Sequence, residues 1–134
     1  VDFLQRHVSE EISRMLWVID VLPEPHLLTE SDFLILHGEQ PLPHVKWDTN
    51  IYGLPCACMK TALNAVYVLK HSKDAFEALK NSINMGGDID SLAAVCTGIA
   101  AGKYGLGSLP QDLLSQTEAY DRLRKLGEKI AEKY

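Results

Sequence analysis

At 134 residues, 46% hydrophobic and 23% charged, the sequence has the length and composition of one ordinary globular domain, residues 1–134, with a single core. Thirteen Lys and Arg against 18 Asp and Glu give a formal net charge of −5, which argues against a nucleic-acid partner, because phosphate contact needs clustered cations. No window reaches the roughly 18 consecutive apolar residues of a membrane span, and nothing resembles a signal peptide, so no membrane partner is expected and the cytoplasm is the expected location.

Val1 opens without an initiator methionine and reads as a chain entered partway through a longer protein. From Asp2 to Leu22, apolar residues at Phe3, Leu4, Val8, Ile12, Met15, Leu16, Ile19 and Leu22 recur at gaps of three and four, which predicts a helix ended by Pro23 and Pro25. His7 reads as a surface side chain. Ser31 is positioned to cap a short helix, Asp32–His37, stopped by Gly38. The following stretch, with Pro41 and Pro43, is irregular and long for a compact domain. It holds His37, His44, Trp47, Asp48, Tyr52 and Gly53. It reads either as an ordered wrap over the core anchored by Trp47, or as an aromatic wall for a planar ligand such as adenine.

Pro55 suits the first turn of a helix. The spacing of Met59, Ala62, Leu63, Val66, Tyr67 and Leu69 predicts a helix over 58–69, with Lys60 and Asn64 off the apolar stripe. Ser72 is expected to cap the next helix, 73–84, whose inward face is Ala75, Phe76, Leu79 and Ile83. The two form an antiparallel hairpin that delivers the chain to Gly86. Beyond it, Leu92 to Gly102 is an almost uncharged run of small and apolar residues, a buried helix in which Gly98 and Gly102 share a face. Glycine inside a helix costs about 1 kcal/mol relative to alanine, and close approach of neighbouring helices would account for both. Gly105 or Gly107 is expected at its C-terminus. A short helix over 111–117 follows Pro110. A last amphipathic helix then turns Tyr120, Leu123, Leu126 and Ile130 inward and Arg122, Lys125, Lys129 and Lys133 outward. No strand pattern appears, so the fold class is all-α. Cys56, Cys58 and Cys96 lack the further ligands a zinc site needs and read as buried thiols.

The stretch with chemistry in it is Gly86-Gly87-Asp88-Ile89-Asp90-Ser91. Two glycines permit an unusual turn, and three oxygen-bearing side chains crowd the start of the helix beyond it. Residues two apart do not face each other on a regular helix, so Asp88 and Asp90 converge only if Asp88 lies in the turn. Two carboxylates and a hydroxyl are hard ligands suited to magnesium, calcium or manganese. Carboxylates at a helix start also serve as caps, so a metal site and an elaborate cap both stand on the residues alone.

Asn84 through Ser91, followed by Ala93-Ala94, Gly98, Ala101-Gly102, Tyr104-Gly105 and Pro110, resembles the C-terminal signature of the ADP-ribosylglycohydrolases, relatives of the dinitrogenase-reductase-activating glycohydrolase. That signature reads roughly N-L-G-G-D-T-D-T, a small-residue helix, G-x-x-Y-G and a proline. Here Ser91 stands for its second threonine and keeps the oxygen, whereas Ile89 replaces its first. A weaker similarity extends back to about residue 55.

The resemblance implies an all-α, multi-helix orthogonal bundle and magnesium-dependent hydrolysis of an ADP-ribosyl glycosidic bond. It makes Asp88 and Asp90 catalytic metal ligands, Asp90 the one to bridge two Mg2+ ions, and Ser91 the hydroxyl ligand, with Mn2+ an acceptable substitute. Gly86, Gly87, Tyr52 and Gly53 are its substrate-binding candidates, for an ADP-ribose-containing substrate. The family's second cluster, Thr-Asp-Asp, and a G-D-x-x-G segment are absent from the sequence. The chain therefore supplies the C-terminal half of a binuclear site whose other half comes from a missing N-terminal part or a second chain. The alternative is a non-catalytic helical structural or interaction protein built on the same scaffold.

Overall fold

The computed structural model describes residues 10–37 and 58–133. Expectations that fall on Phe3, Leu4, His7, Val8, Gly38, His44, Trp47, Asp48, Tyr52, Gly53, Pro55 and Cys56 lie outside the described residues. The described residues form an all-α bundle with no strand among them. The helices are α1 (Glu10–Val21), α2 (Glu30–His37), α3 (Cys58–Lys70), α4 (Ala75–Met85), α5 (Ile89–Tyr104), α6 (Gln111–Gln116) and α7 (Tyr120–Ala131). Short 3-10 turns at Pro25–Leu27 and Leu106–Ser108 link α1 to α2 and α5 to α6.

The most extensive packing is between α4 and α5, with α3 laid against both and α1 and α2 covering α3. Leu16 and Ile19 of α1 and Leu22 just beyond it are buried, as their spacing predicts. Their partners on α3 are Leu63, Ala65, Tyr67 and Val68. The Tyr67 hydroxyl donates to the Pro23 carbonyl, which fixes the turn after α1. Lys70 binds the same helix twice, through the Ile19 carbonyl at 3.0 Å and Asp20 Oδ1 at 3.1 Å.

Two caps differ from the sequence reading. Thr29, not Ser31, starts α2. Its backbone N–H donates to Asp32 Oδ2 at 2.8 Å and its hydroxyl to the same oxygen at 2.7 Å, while Asp32 N–H returns a 3.4 Å contact to Thr29 Oγ1. Thr29 and Asp32 thus form a reciprocal box of the kind that satisfies orphan donors at a helix start. Asp74, not Ser72, caps α4, accepting from Glu77 N–H at 2.7 Å. Ser72 closes the preceding helix instead: its hydroxyl donates to the Val68 carbonyl at 2.7 Å and accepts from Asn81 Nδ2 at 3.1 Å.

The inward faces are also rotated from the expected ones. On α4 the buried residues are Ala75, Ala78, Ser82 and Met85, with Ile83 half exposed. On α3, Ala62 is exposed and Asn64 is buried at 3% exposure, the reverse of the stripe read from spacing. Along α5 only Leu92, Cys96 and Ala100 are buried. Its outer face, with Val95, Gly98, Ile99 and Gly102, is exposed. Among the described residues, a Cβ added at Gly98 or Gly102 would meet nothing within 4 Å, so none of the helices described approaches either glycine closely. The inward orientation expected of α7 is likewise corrected, since Leu123, Leu126 and Ile130 are 54–55% exposed. Gly105 ends α5 as expected, at φ 83°, its N–H bonding the Ala101 carbonyl at 2.8 Å. Cys96 is a free, buried thiol whose Sγ lies 3.9 Å from the Ala65 carbonyl, and burial pushes its pKa up.

Candidate functional site

The turn between α4 and α5 is built from residues that need glycine. Gly86 ends α4 with φ 74° and ψ −164°, a combination essentially closed to side-chain-bearing residues, and its N–H bonds the Ile83 carbonyl at 3.3 Å. Gly87 also has a positive φ of 75°. Asp88 follows at φ −76° and ψ 69°, the centre of an inverse γ-turn closed by Ile89 N–H to the Gly87 carbonyl at 2.9 Å. The Asp88 carbonyl then accepts the first helical bond of α5, from Leu92 N–H at 3.0 Å.

Asp88 therefore occupies the N-cap position, yet its carboxylate makes no capping hydrogen bond. Asp74, at the equivalent place on α4, does. The neighbouring Asp88 side chain is the first cause holding the Asp90 carboxyl below the usual carboxylate range. The backbone N–H groups of Ser91 and of Asp90 itself add to that effect. The turn thus places Asp88 at the N-cap and Asp90 in the first turn of α5, two carboxylates two residues apart in sequence. Two neighbouring ionised carboxylates repel, and a shared proton or a divalent cation relieves that repulsion. Asp90 and Ser91 are exposed and Asp88 is partly buried, so the pair sits at the mouth of the turn.

Beneath the turn is a cavity of about 10 Å3 lined by Lys60, Thr61, Asn64, Gly86, Gly87, Asp88 and Leu92. Spacing along the chain did not mark Lys60, Thr61 or Asn64 for this position. The available signal was that Lys60 and Asn64, four apart, share one helical face. Lys60 Nζ donates to the Ile35 carbonyl at 2.9 Å, tying α2 to α3 at the edge of the cavity.

Of the residues read as site candidates, Gly86, Gly87 and Asp88 line one cavity, and Asp90 and Ser91 follow as exposed residues in the first turn of α5. Tyr52 and Gly53 lie outside the described residues. Among those described, no group of three or more His, Cys, Asp or Glu side chains is placed to hold a metal. The oxygen donors present are of the kind a hard cation takes: the Asp88 carboxylate, which makes no capping bond, the Asp90 carboxylate in the first turn, and the exposed Ser91 hydroxyl next in sequence. A helix N-terminus opposes a cation, so a single carboxylate would not suffice there, and the pair is what makes the fit.

Against models of known families, residues 5–134 match the one described as ADP-ribosylglycohydrolase. No curated protein and no solved structure gives a significant match.

Proposed function

Because the chain belongs to the ADP-ribosylglycohydrolase family, we propose that it contributes Asp88, Asp90 and Ser91 to a magnesium site that hydrolyses an ADP-ribosyl glycosidic bond. One observation carries the reading: Asp88 stands at the N-cap of α5 without capping it, with Asp90 following in the first turn of the same helix. A carboxylate placed for stability alone would take the free backbone N–H groups, as Asp74 does.

In this reading the Asp88 and Asp90 carboxylates would hold magnesium, Asp90 as the shared ligand, and the Ser91 hydroxyl would complete this side of the set. Magnesium held there would supply Lewis acidity for hydrolysis of the glycosidic bond. Gly86 and Gly87 leave backbone without side chains beside the carboxylates, so a sugar or phosphate can approach closely there. The sequence has no Thr-Asp-Asp, so the opposing ligands come from a second chain or an N-terminal part. Manganese should substitute for magnesium in such an oxygen-only set.

The test is a Mn2+ titration of the isotope-labelled chain, following paramagnetic broadening of backbone amides. Broadening should begin at Asp88, Asp90 and Ser91, and Asp88→Asn with Asp90→Asn should remove it. Broadening spread evenly over acidic residues of α6 and α7, or unchanged in the double variant, would sink the reading. The isolated chain should show no turnover of ADP-ribosylated substrates, because it supplies only one side of the site.

A second reading, a non-catalytic interaction protein on the same scaffold, is favoured by the exposed apolar residues Leu123, Leu126 and Ile130 along α7. It requires that the double variant behave like the wild type in every assay except thermal stability.

A further inference from the structure

Asn64 is buried at 3% exposure in the middle of α3, and half of its amide is accounted for. Nδ2 donates to the Leu36 carbonyl at 3.2 Å, one of the orphan acceptors at the end of α2, and to the Lys60 carbonyl at 2.9 Å. Both acceptors are carbonyls, so the nitrogen must face them, and the orientation of the amide is not interchangeable. Oδ1 is left over: it is buried and has no hydrogen-bond partner among the described residues. A buried acceptor left unpaired is costly, and α3 could have carried leucine here at no such cost.

The same residue forms part of the wall of the cavity under Gly86, Gly87 and Asp88. Its volume, about 10 Å3, leaves room for no more than one water molecule. The other polar wall members are Thr61, Asp88 and Lys60, the last already bound to the Ile35 carbonyl. A single water here would donate to Asn64 Oδ1 and meet the two to four polar partners that make a buried water stable.

We propose that Asn64 is a positioning residue for the Gly86–Asp88 turn, acting through one ordered water held between its Oδ1 and the turn. Leu36, Asn64, the water and Asp88 then form a continuous polar link from the end of α2 to the carboxylate pair. Its bearing on metal affinity rests on the proposed role of Asp88, but the water itself does not.

The labelled chain tests it in two arms. In the first, without metal, the wild type should show cross-relaxation between a long-lived water and the Asn64 side-chain amide and the Gly87 amide. Asn64→Leu should abolish it and speed hydrogen exchange at Gly87 and Asp88 about 10-fold, with Ala78 and Ser82 in α4 unchanged. No such water signal in the wild type, or unaltered exchange in Asn64→Leu with circular dichroism intact, overturns the proposal. In the second, Mn2+ affinity at Asp88 and Asp90 should fall about 10-fold in Asn64→Leu, the usual effect of losing a support behind a ligand. If Mn2+ binds neither protein while the water signal persists, the metal reading fails and the positioning role stands. Mn2+ broadening of the Asn64 amide with loss of the water signal would make the cavity a cation site and overturn the water link.

Discussion

Asp74 and Asp88 occupy the same position on successive helices and are used differently, which makes them a matched pair for mutagenesis. Asp74 accepts from Glu77 N–H at 2.7 Å, so Asp74→Ala should destabilise the chain by about 1 kcal/mol in urea unfolding. Asp88 makes no capping bond and has a like charge two residues on, so Asp88→Ala should stay within about 0.5 kcal/mol of the wild type, as substitutions away from such features do. Equal losses at both positions would make Asp88 an ordinary cap. At the other end of α3, the His71 ring tilts against Tyr67 with centroids 4.7 Å apart, its Nε2 buried and unpartnered. Burial, then the neighbouring Lys70, lower the pKa of His71, and Glu24 opposes them. His71 lines a surface pocket with Glu24, Lys70, Lys73 and Glu77, separate from the cavity under the Gly86–Asp88 turn. A lowered folded pKa means the unfolded chain takes up the proton first as pH falls, so the contribution of His71 is present above about pH 6.5 and is lost as pH falls below it. Tm should therefore decline with acidification through that range, and His71→Gln should flatten that part of the profile. The carboxylates of the turn were legible in the sequence because Gly-Gly-Asp-x-Asp-Ser is a local pattern. Asn64 was not, because its burial is decided by which face α2 covers, and that contact is 28 residues away in sequence.

Helices were legible for the same local reason, and their inward faces less so. On α5 the chain is small and apolar all round, so periodicity offers no preferred side, and only packing against α4 and α3 selects Leu92, Cys96 and Ala100. Ile83 of α4 fits the expected stripe and is nevertheless half exposed, because Ala78 and Ser82 provide the smooth surface against which α5 lies. Gly98 and Gly102 carry the clearest consequence. Both are helical, neither has a positive φ, and a Cβ at either meets open space among the described residues. Gly98→Ala and Gly102→Ala should each stabilise the chain by about 0.5–1 kcal/mol, through helix propensity and a less flexible unfolded state. A loss of stability of that size instead would show that another surface comes within a methyl group of α5 in solution.

At the scale of the molecule, burial is concentrated in α1 to α5 and falls away towards the end of the described chain. Every residue from Asp121 to Lys133 is exposed, and the substantial contacts of α7 are with α6 alone. Leu123, Leu126 and Ile130 nonetheless lie three and four apart on one face, a pattern that ordinarily marks a helix for burial. A 12-residue helix without a packed face is marginal in water, since nucleation is costly and propensity alone barely offsets it. The Arg124–Glu128 pair at 3.6 Å is exposed and adds only a few tenths of a kcal/mol. Ala119, at φ 57° just before the helix, adds backbone strain at the joint. The core of α3, α4 and α5 should therefore unfold as the cooperative unit while α7 opens independently. Hydrogen exchange should find α7 amides nearly unprotected and those around Leu92 and Cys96 the slowest in the chain. Leu126→Lys should leave Tm unchanged, whereas Leu92→Ala should cost about 2–5 kcal/mol, the range for emptying a packed leucine site. Were α7 as protected as α5, and Leu126→Lys as damaging as Leu92→Ala, its apolar face would be covered in solution, and the boundary of the cooperative core would have to be redrawn to include it.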